Sequence, residues 1–267
     1  MEKRKTFLVP YDFTEASKKA LDQTVELSNY ENSKIIILHV VSKESEIDNA
    51  LERINELIVQ LTTKVEIESK VVKGSIFTSI GEVAEANNCS AVIMGTHGVS
   101  GMQKVFGSFA MKVIISTGVP FMVVQKETEI KTFSNICLSI DATAESIQII
   151  NTAGILAKTY NAKIHIIAEK EKDLSKARKI KNNLIILSKK MKKMEVDYSL
   201  ELLEKKDEWI DTVIEFAHQR KMDMFAYSYD SDRLLASKDK FSQSLLFNSF
   251  YIPALIINAK KITSTYF

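Results

Sequence analysis

The sequence has 267 residues, of which 45% are hydrophobic and 26% are charged, and its formal net charge is +2. This is the composition of a globular protein, which excludes a collagen-like or intrinsically disordered chain. The near balance of charge gives no indication of nucleic acid or an anionic membrane as a partner. No stretch approaches the ~20 apolar residues that a membrane span needs, and the N-terminus lacks the apolar run of a secretory signal. Cys89 and Cys137 have no metal-ligand spacing and suit a reducing compartment, so a cytoplasmic protein is expected.

The chain repeats itself with a shift of 129 residues, which aligns Asp12 with Asp141 and extends over about thirty residues. The aligned segments are FLVPYD (7–12) with ICLSID (136–141), KIIIL (34–38) with KIHII (163–167) and, after a small drift, VPFMVV (119–124) with IPALII (252–257). A repeat of this length is near the common size of a domain. We therefore expect two domains, 1–129 and 130–267, joined by the charged segment 126–131.

Short β-branched runs and amphipathic stretches alternate along the first repeat. Strands are predicted at 7–10, 34–41, 65–72, 91–94 and 121–125, and helices from Thr14 as the N-cap and at 46–63, 75–87 and 108–116. This alternation predicts a doubly wound α/β domain with five parallel strands in the order 3-2-1-4-5. The fold class is thus two such five-stranded parallel-sheet domains in tandem. Ligands of such sheets bind beyond the carboxyl ends of the strands where the strand order reverses, here between strands 1 and 4.

Glycines are concentrated at this predicted switch point. The chain has eight glycines, and four of them, Gly95, Gly98, Gly101 and Gly107, follow the fourth strand. Glycine allows the backbone to approach a ligand closely, and free N–H groups before a helix N-terminus bind anions. A flexible turn that ends in a helix cap is the alternative interpretation of the same residues.

The segment GTHGVSGMQKVFGS (95–108) resembles the ATP-binding signature of universal stress proteins, usually written G-2x-G-9x-G-[S/T], with eight residues instead of nine between Gly98 and Gly107. The start VPYDF and the strands LHVV and VPFMVV are also similar to that family. The resemblance of fold covers nearly the whole chain, whereas the nucleotide motif covers only the first half. It implies the adenine nucleotide alpha hydrolase-like fold, bound ATP, and Mg²⁺ held mainly by phosphate oxygens and water.

The resemblance also implies roles for ten residues. The nucleoside end is assigned to Pro10, Asp12 and Val40, the ribose–phosphate path to Met94, Gly95, His97 and Gly98, and the phosphates to Gly107, Ser108 and Phe109. Simpler interpretations stay open for some of them. Asp12 can be a helix-start residue, His97 a polar loop residue, and the nearby His39 a satisfied core histidine.

The second repeat lacks this glycine pattern. Aligning 224–226 with 92–94 places Tyr227 on Gly95 and Asp230 on Gly98, and a bulky side chain and an acidic one are unsuited to a phosphate site. Asp141 is expected to start a helix. The run 176–193 predicts a basic amphipathic helix, for which a solvated outer face is the common explanation and an anionic surface the alternative.

Three functions fit these observations. The leading hypothesis is an ATP-binding universal stress protein that acts as a sensor or regulator in the stress response and not as a fast enzyme, because the sequence has no G-x-x-x-x-G-K-[S/T] motif. A slow ATPase or phosphoryl/nucleotidyl transferase and an ATP-independent interaction protein are the alternatives. The expected partners are an adenine nucleotide and an unidentified protein, with no nucleic acid and no membrane. Pairing of the two last strands within one chain would form a pseudo-dimer, and a homodimer is left open.

Overall fold

The structure, a computed structural model, describes residues 4–96, 106–230 and 240–259, with the backbone alone at 106–109. The chain divides into two compact units, Met1–Lys131 and Thr132–Phe267. The division lies two residues beyond the predicted boundary. Its position follows from the buried Gln23, whose amide donates to the carbonyl of Lys131 at 2.7 Å and so ties the end of the predicted linker to the first unit.

The first unit alternates strands and helices in the predicted order. Its elements are β1 (Lys5–Pro10), α1 (Glu15–Ser28), β2 (Ser33–Val41), α2 (Ile47–Gln60), β3 (Glu66–Lys73), α3 (Ile76–Ala86), β4 (Ala91–Thr96), α4 (Phe106–Ile114) and β5 (Phe121–Gln125). Thr14 is the N-cap of α1, as predicted, because its side chain accepts from the N–H of Ser17.

All strands of the first unit are parallel, in the order β3-β2-β1-β4-β5. The central strand β1 aligns Leu8 with Ile36 of β2 on one side and with Val92 of β4 on the other. These three residues have no exposed surface, which explains why the strands are continuous apolar runs without alternation. The helices α3 and α4 pack against each other, and the right-handed crossover rule for parallel strands predicts them on the face opposite α1 and α2. The predicted doubly wound fold is confirmed.

The second unit repeats the same architecture. Its elements are β6 (Asn135–Ile140), α5 (Ile150–Tyr160), β7 (Lys163–Glu169), α6 (Leu174–Met194), β8 (Tyr198–Leu203), α7 (Trp209–Gln219), β9 (Met224–Tyr229), α8 (Lys240–Leu246) and β10 (Ala254–Asn258). The strand order is β8-β7-β6-β9-β10, again parallel throughout. A 3₁₀ turn, Glu145–Ile147, precedes α5.

The strand register corrects the alignment of the two repeats at the fourth strand. Cys137, the counterpart of Leu8, aligns with Phe225, so Phe225 and not Met224 is equivalent to Val92. The backbone agrees, because the N–H of Val92 donates to Pro120 at 2.8 Å and that of Phe225 donates to Pro253 at 2.9 Å. Four residues inserted between the first and fourth strands of the second repeat account for the difference.

Both cysteines are fully buried in the core. Burial raises the pKa of the Cys89 thiol to about 12 and raises that of Cys137 as well, so both remain protonated. Among the described residues, no helix combines the length and the apolar character that crossing a membrane requires.

Candidate functional site

The carboxyl ends of β1, β2 and β4 form the edge where the strand order reverses, and five of the ten predicted site residues lie there. Pro10 ends β1 and is half-buried, as is Val40 near the end of β2. Asp12, two residues beyond β1, is exposed. Met94 and Gly95 lie in the last half of the neighbouring β4, where Met94 retains 9% of its surface.

The other five predicted residues follow β4. His97 and Gly98 lie outside the described residues, so their predicted roles are untested. Gly107, Ser108 and Phe109 lie in the first turn of α4, which begins at Phe106 and thus two residues before the predicted start. Across the described part of the chain, no three His, Cys, Asp or Glu side chains come together as a metal site.

Asp12 holds the turn between β1 and α1. Its Oδ1 accepts from the N–H of Thr14 at 3.1 Å and from the Thr14 hydroxyl at 2.6 Å. The second unit repeats these contacts, since Asp141 Oδ1 accepts from the N–H and hydroxyl of Thr143 at 2.8 and 2.5 Å. The turn with its Asp–Thr hydrogen bonds is therefore common to both units, and it fixes the orientation of the Asp12 carboxylate at the edge. The expectation that Asp141 starts a helix is wrong, because a 3₁₀ turn follows it and α5 begins only at Ile150.

An aromatic and cationic cluster beside Asp12 was not predicted from the sequence. Phe13 has a φ of 63°, and its ring packs edge-on against Tyr11 and His39 at centroid distances of 5.3 and 5.1 Å. The guanidinium carbon of Arg53, from α2, lies 3.7 Å from the centroid of the Phe13 ring. His39 Nδ1 lies 2.7 Å from the carbonyl oxygen of Tyr11, so this nitrogen carries a hydrogen and donates it, which confirms the satisfied histidine.

Gly95 permits a close approach between β4 and the first turn of α1. A Cβ on Gly95 would overlap the carbonyl group of Ala16 and lie 2.8 Å from the backbone nitrogen of Ser17. Both are backbone atoms of a helix that cannot retract without losing its cap. The glycine is therefore required for packing, independently of any ligand.

The structural counterpart of Gly95 is Ser228, and the prediction that Tyr227 occupies this place is wrong. Tyr227 corresponds instead to Met94 and is almost fully buried. The Ser228 hydroxyl accepts from the N–H of Ile149 at 3.0 Å. The helix after β6 starts only at Ile150. The side chain of Ser228 therefore occupies the space that the first turn of α1 takes beside Gly95 in the first unit.

Asp230 likewise does not correspond to Gly98. The same register places Asp230 on His97, whereas the position of Gly98 falls on residue 231, outside the described residues.

Internal hydrogen bonds close the carboxyl edge of the second unit. The amide of Asn183 in α6 is buried and donates to the carbonyls of Asp141 and Thr143 at 3.0 and 2.8 Å. The indole N–H of Trp209 donates to the hydroxyl of Ser139, the counterpart of Pro10, at 3.2 Å. These two carbonyls and this hydroxyl at the edge are thus bonded within the unit.

Comparison with known proteins agrees with this fold. Residues 3–125 match the model of the Universal stress protein family, whereas no curated protein matches the chain. The first unit is an α/β domain in which the strand order reverses between β1 and β4, and ligands of doubly wound sheets bind at such a place. This unit is therefore similar to a universal stress protein domain, and the match covers residues 3–125, which lie within the first unit.

Solved structures resemble the chain over nearly its full length. A universal stress protein from Archaeoglobus fulgidus DSM 4304 has a TM-score of 0.72 at 14% identity, covering 95% of this chain and 98% of that one. A putative universal stress protein from Pseudomonas aeruginosa UCBPP-PA14 has a TM-score of 0.60 at 13% identity, covering 95% and 93%. The cytoplasmic domain of a prokaryotic cation chloride cotransporter has a TM-score of 0.59 at 11% identity, covering 97% and 98%. At these identities the likeness shows the fold alone.

We predict that Gly95→Ala destabilises the first unit by about 1–3 kcal/mol, because the new methyl group overlaps helix backbone. Faster amide exchange at Lys18, whose N–H bonds to Thr14 at 3.0 Å, would report the loosened first turn of α1. Gly74→Ala is the control, since a Cβ there would meet only the side chain of Ser79. Equal unfolding midpoints and equal Lys18 exchange in both variants would contradict the packing role of Gly95.

We also predict that Asn183→Ala lowers the free energy of unfolding by about 1–3 kcal/mol, since two carbonyls lose their buried donor. Asn182→Ala, on the same helix, is the matched control because Asn182 is exposed. Urea unfolding monitored by the fluorescence of Trp209 measures both. If the two variants unfold at the same urea concentration, the closure of the second unit does not depend on Asn183.

Proposed function

We propose that the first unit binds one adenine nucleotide of the ATP class and that the chain is a nucleotide-dependent regulator. One observation carries the proposal: β4 ends at Thr96 and α4 begins at Phe106, so the glycine-rich segment leaves the sheet at the switch point beside β1. Segments in this position bind phosphates in doubly wound folds. The match of residues 3–125 to the Universal stress protein family supports the same assignment.

The nucleoside would bind at the ends of β1 and β2. Pro10 and Val40 are half-buried and offer apolar surface to a base, while the exposed Asp12 carboxylate can accept from ribose hydroxyls. The hydrogen bonds from Thr14 hold this carboxylate in one orientation before any ligand arrives. A preoriented acceptor loses less conformational entropy on binding.

The phosphates would lie along the segment that ends in α4. Gly98, Gly107 and Ser108 would supply backbone N–H groups and a hydroxyl, and the N-terminal end of α4 carries a positive partial charge. Mg²⁺ would be held by phosphate oxygens and water and would neutralise phosphate charge.

Regulation is favoured over fast catalysis by the roles of the polar groups at the edge. Asp12 is already engaged by Thr14, and His39 donates to the carbonyl of Tyr11. These bonds give both groups a structural role in the turn after β1, and the sequence lacks the G-x-x-x-x-G-K-[S/T] motif of P-loop nucleotide hydrolases. Nucleotide occupancy would then change the edge of the first unit, and a protein partner would detect that change.

We expect one nucleotide per chain, because side chains of the second unit form hydrogen bonds with one another and with the backbone at the equivalent edge. Ser228, Asn183 and Trp209 each donate or accept a hydrogen bond there within the unit. A cytoplasmic location, an unidentified protein partner and the pairing of the two last strands stay predictions.

Mass spectrometry of the ligand released from freshly purified protein, followed by calorimetry with ATP, tests this function. Gly98→Val and Gly107→Val should each abolish binding, because a bulky β-branched side chain would fill the phosphate path. Asp230→Ala, at the end of β9, is the control and should bind one ATP like the parent protein. Unchanged affinity in both valine variants would show that this segment is not the phosphate site.

A further inference from the structure

The outer face of α6 carries a large positive charge that the described residues leave almost uncompensated. The helix has eight lysine or arginine residues and no acidic residue, and seven of the eight cations are exposed. Lys176 lies 3.7 Å from Glu171, and within the described ranges no carboxylate pairs with the other seven. Concentrated charge of one sign creates a strong local potential.

Apolar side chains interrupt this charge in the middle of the helix. Ile185 is 45% exposed and Ile186 is 50% exposed. Arg178, Lys181, Ile185 and Lys189 follow one another at helical spacing, so they form one stripe on the surface. A stripe of cations with two isoleucines at its centre has the features of a contact surface, since its centre can be desolvated while its ends remain charged.

The helix α2 occupies the same topological position in the first unit, between β2 and β3, as α6 does between β7 and β8. Its exposed stripe has the opposite sign, with Asp48, Glu52 and Glu56 at intervals of four residues. In the part of the chain that the structure describes, no cation pairs with these three carboxylates. Val59 continues the stripe and is 86% exposed.

We propose that α6 of one chain docks on α2 of a second copy of the same chain. The basic stripe meets the acidic stripe, and the isoleucines of α6 cover Val59 beside the carboxylates. Every copy carries both surfaces, so each molecule can give and receive the contact.

Charge complementarity decides between the possible binding partners of α6. An anionic membrane or a nucleic acid would neutralise α6 but would leave the acidic stripe of α2 without a partner. A second copy neutralises both stripes. Exposed ion pairs are individually weak, so the association should be weak, fast and sensitive to salt.

Two double variants of the full chain test the proposal by sedimentation equilibrium. Glu52→Lys with Glu56→Lys makes both stripes net basic, and Lys181→Glu with Lys189→Glu makes the α6 stripe net acidic, as the α2 stripe is. Each variant alone should dissociate at least about tenfold more readily than the parent, because like charges then face each other. An equimolar mixture of the two should associate again, since each mutated stripe now finds its complement.

Controls separate this contact from general charge effects. Glu82→Lys with Asp211→Lys makes the same charge change on exposed residues of α3 and α7 and should associate like the parent. Raising salt from about 50 to 500 mM should weaken the parent association about tenfold, since screening shortens the reach of exposed charges.

Three results would overturn the proposal. The first is a parent chain that stays monomeric at about 100 μM in low salt, a concentration at which even weak contacts of about −5 kcal/mol populate a complex. The second is a mixture of the two variants that fails to associate. The third is binding of α6 to vesicles of anionic lipid, lost on Lys181→Glu with Lys189→Glu, in a chain that does not self-associate.

Discussion

The Cα of Gly95 and the carbonyl of Ala16 lie so close together that no side chain fits between them. This contact allows α1 to begin directly after the turn that follows β1. Thr14 caps this helix and also donates to the carboxylate of Asp12. The equivalent bonds between Thr143 and Asp141 persist in the second unit, where Ser228 replaces the glycine, so the missing side chain in β4 determines the start of α1 and not the Asp–Thr contact.

The second unit shows what the same fold becomes when this constraint is removed. Ser228 replaces the glycine, a 3₁₀ turn replaces the first helical turn, and the hydroxyl satisfies the N–H of Ile149. In this unit Asn183 donates to the carbonyls of Asp141 and Thr143 in the turn after β6. The carboxyl edge of the first unit is suited to a ligand, whereas that of the second unit is held by hydrogen bonds within the unit. The opposite charges of α2 and α6 are a second difference between the units, on a surface remote in sequence from the glycine segment.

The fold could be predicted because buried parallel strands are continuous apolar runs and the chain repeats them. The Thr14 cap and the satisfied His39 also follow from local patterns. The cluster of Phe13 and Arg53 could not be predicted, since it depends on how α2 is rotated over the turn after β1. The register of β9 was missed although Pro120 and Pro253, 133 residues apart, already indicated it. An alignment by apolar residues alone cannot distinguish neighbouring registers in a strand that is buried on both faces.

Hydrogen–deuterium exchange of the full chain with and without ATP tests the central claim, the asymmetry of the two edges, most directly. The account predicts that ATP slows exchange at residues 10–17, 38–41 and 94–96 and leaves 139–149 and 226–230 unchanged, because only the first unit offers an edge to the nucleotide. Protection of the second set, or of neither, would contradict it.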